Sequence, residues 1–184
     1  MEETLLKLHL GCGPRHLNGY VNIDKYHLSA NRVMDASKLD YSDNCVDEIF
    51  ASHMIEHLTY SEFIAALKEW RRVLKIQKGR LIIRCPNFER HLKNWLEASY
   101  EERFGKRNYG VNVILGWQDK GLGNLNRNVF TVKRLRMLIE EAKFEVLKCS
   151  AVKNRDGKIS DGDILLTAKI KNESNNLSVK SRKG

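Results

Sequence analysis

The sequence predicts an α/β protein, a largely parallel sheet with helices on both faces. Three observations predict it. Short apolar strands alternate with amphipathic helical segments through most of the 184 residues. Two longer strands joined by a turn-rich connection close the ordered part. A glycine pair follows the first strand, and acids end the next two. A helical crossover returns the chain so that successive strands pair parallel, whereas a short turn reverses it.

The first strand is read over 5–10, where Leu and Lys or His alternate until Gly11 stops the run. The second runs from Tyr20 to Asp24, the third, weaker, from Asn31 to Asp35, and the fourth from Val46 to Ser52. Gly79 makes a turn into a fifth, Arg80 to Cys85, which Pro86 stops. Between the fourth and fifth, Thr59 and Glu62 have capping-box spacing, each side chain satisfying an orphan backbone N–H of the other residue. Phe63, Leu67, Trp70 and Leu74 then recur on one helical face. A second helix starts near Thr131, with Leu135, Leu138, Ile139 and Ala142 as its stripe. The last strands are Glu145 to Val152 and Asp163 to Ile170, separated by Asp156-Gly157 and Asp161-Gly162 turn signals, so they are expected to pair antiparallel.

One domain is expected over 1–171, with an insertion at 87–130. The segment 172–184 is polar and basic, too poor in apolar residues to offset its ordering entropy, and reads as a mobile tail. The net charge is +9, partly from that tail. Such an excess favours anionic partners at low salt. Solvated helix faces account for it equally, so a nucleic-acid partner is a less favoured reading. The four cysteines are scattered without a C-x-x-C pair, which argues for reduced residues in or near the core and against a disulfide framework or zinc site. No apolar run approaches the roughly 18 residues of a membrane span, and the N-terminus lacks the pattern of a secretory signal. A cytoplasmic protein is expected.

Leu8-His-Leu-Gly-Cys-Gly13 places glycines where the backbone must close on a ligand and a Cβ would obstruct it. Alone, G-x-G also suits any tight turn. The acids change the balance: Asp24 can accept from both hydroxyls of a ribose. Asp35 can accept from an adenine amino group, and a backbone N–H beside it can reach a ring nitrogen. Both end strands on the rim where open α/β sheets bind ligands.

With KLHLGCG, VNID, MDASKLDYSDNCVDEIFASHMIEHL, EFIAALKEWRRVLK and RNVFTVKRLRMLIEEAKFEVL, the chain resembles the class I S-adenosylmethionine-dependent methyltransferases, of the small type 11 group. The resemblance implies a Rossmann-like sheet of strand order 3-2-1-4-5-7-6 with the last strand antiparallel. It implies S-adenosylmethionine as cofactor and S-adenosylhomocysteine as product. It sets Gly11 and Gly13 against the methionine part, Asp24 at the ribose, Asp35 and Ala36 at the adenine, and Ser52 and His53 beside the sulfonium, with His9, Cys12 and Lys25 also among the cofactor-binding residues. Several positions depart from the family. His9 stands where an acid is common, Arg15 where a small residue is, and Ile-Gln-Lys-Gly79 replaces Pro-Gly-Gly. The stretch between Gly11 and Asp24 is too short for the usual first helix, so that helix is expected to be short or absent and the pocket more open.

His53-Met-Ile-Glu-His57 also spells the H-x-x-E-H of some zinc peptidases, where two His and a base share a long helix. Here it follows a strand and precedes a new helix cap, and the methyltransferase pattern accounts for it with its flanks; no metal is expected. His53 is the candidate for acid/base work or acceptor positioning, with a pocket-wall role as the alternative. His57 reads as structural. Asn126 stands where this subgroup often carries a histidine four residues before the phenylalanine, here Phe130, and is the second catalytic candidate. The insertion carries Phe88, Trp95, Tyr100, Phe104, Tyr109 and Trp117, with Gly105, Gly110, Gly116, Gly121 and Gly123, and suits a lid or acceptor platform or, equally, local packing.

Methyl transfer from a sulfonium is an in-line displacement, so alignment and desolvation suffice and no catalytic triad is required. The acceptor leans to a saccharide or other small molecule, by family alone. Arg84-Cys-Pro-Asn-Phe88 is not the N-P-P-[YFW] signature of amino-methylating nucleic-acid enzymes. Two rivals remain: a catalytically silent cofactor-binding or interaction domain, and a nucleic-acid module using the basic faces.

Overall fold

The computed structural model describes residues 5–104, 109–117 and 122–171. The tail at 172–184, and Gly105 and Gly121 of the insertion, lie outside the described residues.

Seven strands form one sheet of order β3-β2-β1-β4-β5-β7-β6, as the resemblance implies. They are β1 (Lys7–Leu10), β2 (Val21–Asp24), β3 (Arg32–Val33), β4 (Glu48–Ser52), β5 (Arg80–Pro86), β6 (Phe144–Val152) and β7 (Asp163–Ile170). β1 to β5 pair parallel, and β7 runs antiparallel between β5 and β6. The helices are α1 (Tyr60–Val73), α2 (Phe88–Glu97), α3 (Tyr100–Phe104), α4 (Tyr109–Leu115) and α5 (Val132–Glu141). Among the described residues no helix is long and apolar enough to cross a membrane.

Register shows which sheet face is the core. Leu8, Ile49, Leu81 and Ala168 form one row across four strands; Leu10, Ala51, Ile83 and Leu166 form the next. All eight are fully buried. Phe63, Ala66, Leu67, Trp70 and Val73 of α1 and Leu135, Leu138 and Ile139 of α5 join the same core. Both helices begin as their sequences require. Thr59 forms the reciprocal capping box with Glu62, and Thr131 accepts from Arg134 N at 3.1 Å.

The opposite face carries His9, Asn22, Phe50, Ile82 and Thr167. No helix separates β1 from β2, as expected from the short spacing. A non-helical loop covers part of this face. Leu17 N donates to Asn22 Oδ1 at 2.8 Å, and Tyr20 packs near His9 and Phe50.

Several strand limits differ from expectation. Tyr20 lies outside β2, and β3 keeps only two residues. Asn22 N donates to the Asn31 side chain, and Met34 N reaches only the Asp24 carbonyl before the chain turns. Val46 forms an isolated bridge with Leu74 ahead of β4. Pro86 is the last residue of β5, paired with Asp163, since a strand end can do without the N–H that proline lacks. Leu74 and Ala142 are C-caps rather than helix-interior residues.

Candidate functional site

The carboxyl ends of β1, β2 and β4 build one rim. Beyond β1 the chain turns through Gly11 (φ +66°) and Gly13 (φ +51°), left-handed values that cost L residues with a Cβ. Cys12 N donates to Ile23 O at 3.1 Å, and Gly13 N donates to Asp24 Oδ2 at 2.9 Å, so the acid that ends β2 points at the glycine turn. Asp24 Oδ1 accepts from Tyr26 N and His27 N at 2.8 and 2.9 Å. Three donors on a carboxylate with about four lone-pair directions leave one for a ligand.

The two glycines differ in purpose. A Cβ on Gly11 would stand 2.2 Å from Met54 Cγ, so this residue is glycine because Met54 packs on it. A Cβ on Gly13 would meet nothing within 4 Å; it would project into open space beside Asp24.

Asp35 lies next along the rim. Its carboxylate accepts from Ser37 N and Oγ at 2.9 and 2.7 Å and from Lys25 Nζ at 2.8 Å. Partial burial would raise its pKa, but the Lys25 and Ser37 hydrogen bonds outweigh that and hold it at about 2. Lys25 and Asp35 thus bond each other. Ala36 is fixed from below, because the buried Trp70 of α1 donates its Nε1–H to Ala36 O at 2.9 Å. His9 is buried in β1 with Nδ1 2.9 Å from Asn22 Oδ1, and burial lowers its pKa. Cys12 is also buried, its thiol pushed up by burial. Near this rim, burial and then the Arg15 guanidinium lower the pKa of Arg155 from the β6–β7 connection.

Past Ser52, the last residue of β4, His53 turns left-handed (φ +53°), a conformation a non-glycine residue keeps only where its surroundings enforce it. His53 N donates to Arg84 O at 2.8 Å. Its Nε2 is 3.0 Å from Asp163 Oδ2 and its Nδ1 3.5 Å from Glu56 Oε1. Arg84 Nε donates to the same Asp163 oxygen at 2.7 Å. Burial would lower the His53 pKa, but the bonds to Asp163 and Glu56 outweigh it and raise it to about 9. At neutral pH the ring is an imidazolium facing carboxylates through both nitrogens, so it has no lone pair with which to take a proton.

The H-x-x-E-H run is no continuous helix. His53 follows the end of β4, residues Ile55–His57 form a single 3-10 turn, and His57 Nδ1 is 3.0 Å from Leu125 O. His53 and His57 therefore serve different partners.

Above the rim sits the insertion. Asn126 binds α4 to the chain that follows it: its Nδ2 donates to Ile114 O at 3.1 Å and its backbone N to Leu115 O at 2.9 Å. Trp95 and Tyr100 both pack on Phe104, while Phe88 lines a small cavity with Glu56, His91, Asn126, Asn128 and Phe130. Trp117 is exposed. Of Tyr109, Gly110 and Gly105 no side-chain environment is described. The aromatic insert is thus partly self-packed and partly a cavity wall.

Sequence reasoning missed Glu56, Arg84, Asn128 and Asp163. Glu56 stood in the H-x-x-E-H run but with no acceptor role read for it, and Asp163 had a signal in the charge that opens an otherwise apolar strand.

This sheet order, with a glycine turn and acids after successive strands, is the Rossmann-like fold of the class I S-adenosylmethionine-dependent methyltransferases. Residues 8–83 match the family model described as a methyltransferase domain. Over those residues, less than half of the chain, the sequence is similar to that family. Solved structures resemble it in fold. A chain from the complex between the Haloferax volcanii Trm112 methyltransferase activator and a putative methyltransferase matches with a TM-score of 0.63 at 14% identity, covering 94% of this chain and 84% of that one. The PH0226 protein of Pyrococcus horikoshii matches with 0.61 at 19%, covering 93% and 84%. A SAM-dependent methyltransferase of Methanosarcina mazei matches with 0.60 at 18%, covering 94% and 95%. No curated protein matches the sequence.

Proposed function

We propose that the chain transfers the cofactor's methyl group to a small polar acceptor, a saccharide or comparable small molecule, held between the ends of β4 and β5 and the insertion. The observation that carries this is the cradle at Gly13. Its left-handed turn is bonded to Asp24, and the side where a Cβ would point is open. That arrangement fits a nucleoside with an amino-acid tail.

When bound, the cofactor supplies an activated methyl on a good leaving group. The chain's own residues bind and align. Gly11, Cys12 and Gly13 shape the turn, and Asp24 offers its remaining lone pair to a ribose hydroxyl. Asp35 and Ala36 flank the adenine, with Lys25 neutralising Asp35. Ser52 and His53 wall the reacting end. His53, with both nitrogens committed, acts as a positioning residue rather than a base. His9 and Asn126 act one step back, holding the β1 face and the insertion.

The test is calorimetric titration with S-adenosylmethionine and S-adenosylhomocysteine, followed by turnover on a panel of saccharides and small hydroxylated or amino acceptors. Saturable cofactor binding with turnover supports the proposal. Binding without turnover on any acceptor favours a silent domain. No cofactor binding, with steeply salt-dependent binding to RNA or DNA, overturns it.

A further inference from the structure

Among the buried polar atoms without a hydrogen-bond partner, two belong to residues that line the same cavity, Glu56 and Asn128. Glu56 is 4% exposed; its Oε1 faces His53, but its Oε2 bonds nothing. Asn128 is 9% exposed. Its Oδ1 accepts from Arg134 Nη1 at 2.7 Å and from Val129 N at 3.1 Å. Two donors on that oxygen fix the amide's orientation, so the unpartnered Nδ2 is a donor. The two residues are also tied through the backbone, since Asn128 N donates to Glu56 O at 3.0 Å. The cavity they line measures about 20 Å³, room for one water-sized group.

A buried acceptor and a buried donor each left unpaired cost free energy unless one ligand answers both. An ammonium offers only donors and would leave the Asn128 N–H unanswered. A hydroxyl donates once and accepts twice. We propose that Glu56 Oε2 and Asn128 Nδ2 form a hydroxyl-recognition site, which selects polyhydroxylated acceptors such as sugars by gripping one hydroxyl. The inference rests on the methyl-transfer reading of this site. The cavity admits a hydroxyl tip and not a ring. α2 and α3, in the insertion, bury no side chain fully, so little packing opposes the displacement that admits the rest of the molecule.

The experiment uses the full chain saturated with S-adenosylhomocysteine and saturation-transfer NMR. The probes are methyl α-D-glucopyranoside, methyl α-D-mannopyranoside and methyl β-D-galactopyranoside, with cyclohexylammonium as the donor-only control. The variants are Glu56→Gln and Asn128→Asp, both isosteric; Asp keeps the oxygen that Arg134 holds. The expected result is binding of at least one glycoside, weakened at least tenfold in both variants, with unchanged S-adenosylhomocysteine affinity and no binding of cyclohexylammonium. Glycosides bound equally by wild type and variants, or by none of the three proteins while S-adenosylhomocysteine still binds, would overturn the inference and leave the methyl-transfer reading standing. Stronger binding of cyclohexylammonium than of any glycoside would overturn it too. Absence of S-adenosylhomocysteine binding in the wild type would overturn both.

Discussion

His53 Nε2 lies 3.0 Å from Asp163 Oδ2, joining the end of β4 to the start of β7. The contact holds a strained histidine charged and fixes the wall where β4 leaves the sheet. Its energetics are open to measurement. The His53 pKa is raised from 6.5 to about 9, so the charged ring favours the folded state. A raised pKa gives stability that is full below the unfolded value and lost as pH climbs through the folded one. Unfolding free energy should therefore fall by roughly 2–3 kcal/mol between pH 6.5 and 9.5 through this residue. Denaturant titrations of wild type and His53→Gln across that range would show the slope in the first and its loss in the second. A flat wild-type profile would rule the coupling out.

Asp163→Asn removes the charge shared by His53 and Arg84. Breaking a buried pair costs about 3–5 kcal/mol, less where the replacement keeps the shape. The His53 pKa, followed by NMR of its ring protons, should drop by about one unit or more. An unmoved titration would mean that Glu56 alone holds the proton.

Gly11 and Gly13 should respond differently to alanine. Gly11→Ala drives a methyl into Met54 and should destabilise by about 1–3 kcal/mol, with little recovery in the double variant with Met54→Ala, because the Met54 Cβ stands 2.5 Å from the added methyl. Gly13→Ala meets no protein atom and should cost about 1–2 kcal/mol, for its left-handed backbone. Its signature is a fall in S-adenosylhomocysteine affinity of about tenfold or more, about 1.4 kcal/mol. Thermal melts and calorimetry on the three variants separate packing from ligand contact. Equal affinity in Gly13→Ala and wild type would place the cofactor elsewhere.

Asp24→Asn keeps the shape but replaces a carboxylate that three backbone N–H groups share. Loss of charge-assisted bonds predicts a loosened glycine turn, faster amide exchange at Gly13, Tyr26 and His27, and weaker cofactor binding. Exchange rates equal to wild type would show that the turn holds without the charge.

Thr59→Ala removes one half of the capping box and should cost about 1 kcal/mol with no change in cofactor affinity. A change in affinity would instead tie the start of α1 to the site.

Local chemistry made part of this protein legible in its sequence. The capping box at Thr59 and Glu62, the Gly11–Gly13 turn, the acids Asp24 and Asp35 and the antiparallel β6–β7 pair all follow from residues close along the chain. Such features report backbone conformation, which neighbouring residues largely determine. Even the missing first helix could be counted from the spacing. Strand ends were less exact, because β3 and the residues before β2 and β4 take partners the pattern does not name.

Tertiary structure alone decided the rest. Only packing shows that Met54 occupies the space over Gly11, or that Trp70 steadies Ala36 from the core. His53 meets Asp163 because β4 and β7 both flank β5, and no periodicity encodes that adjacency. The unmatched atoms of Glu56 and Asn128 are likewise a property of folded space. Whether a buried polar group is satisfied depends on which distant segments surround it, and the sequence names its chemistry without naming its neighbours.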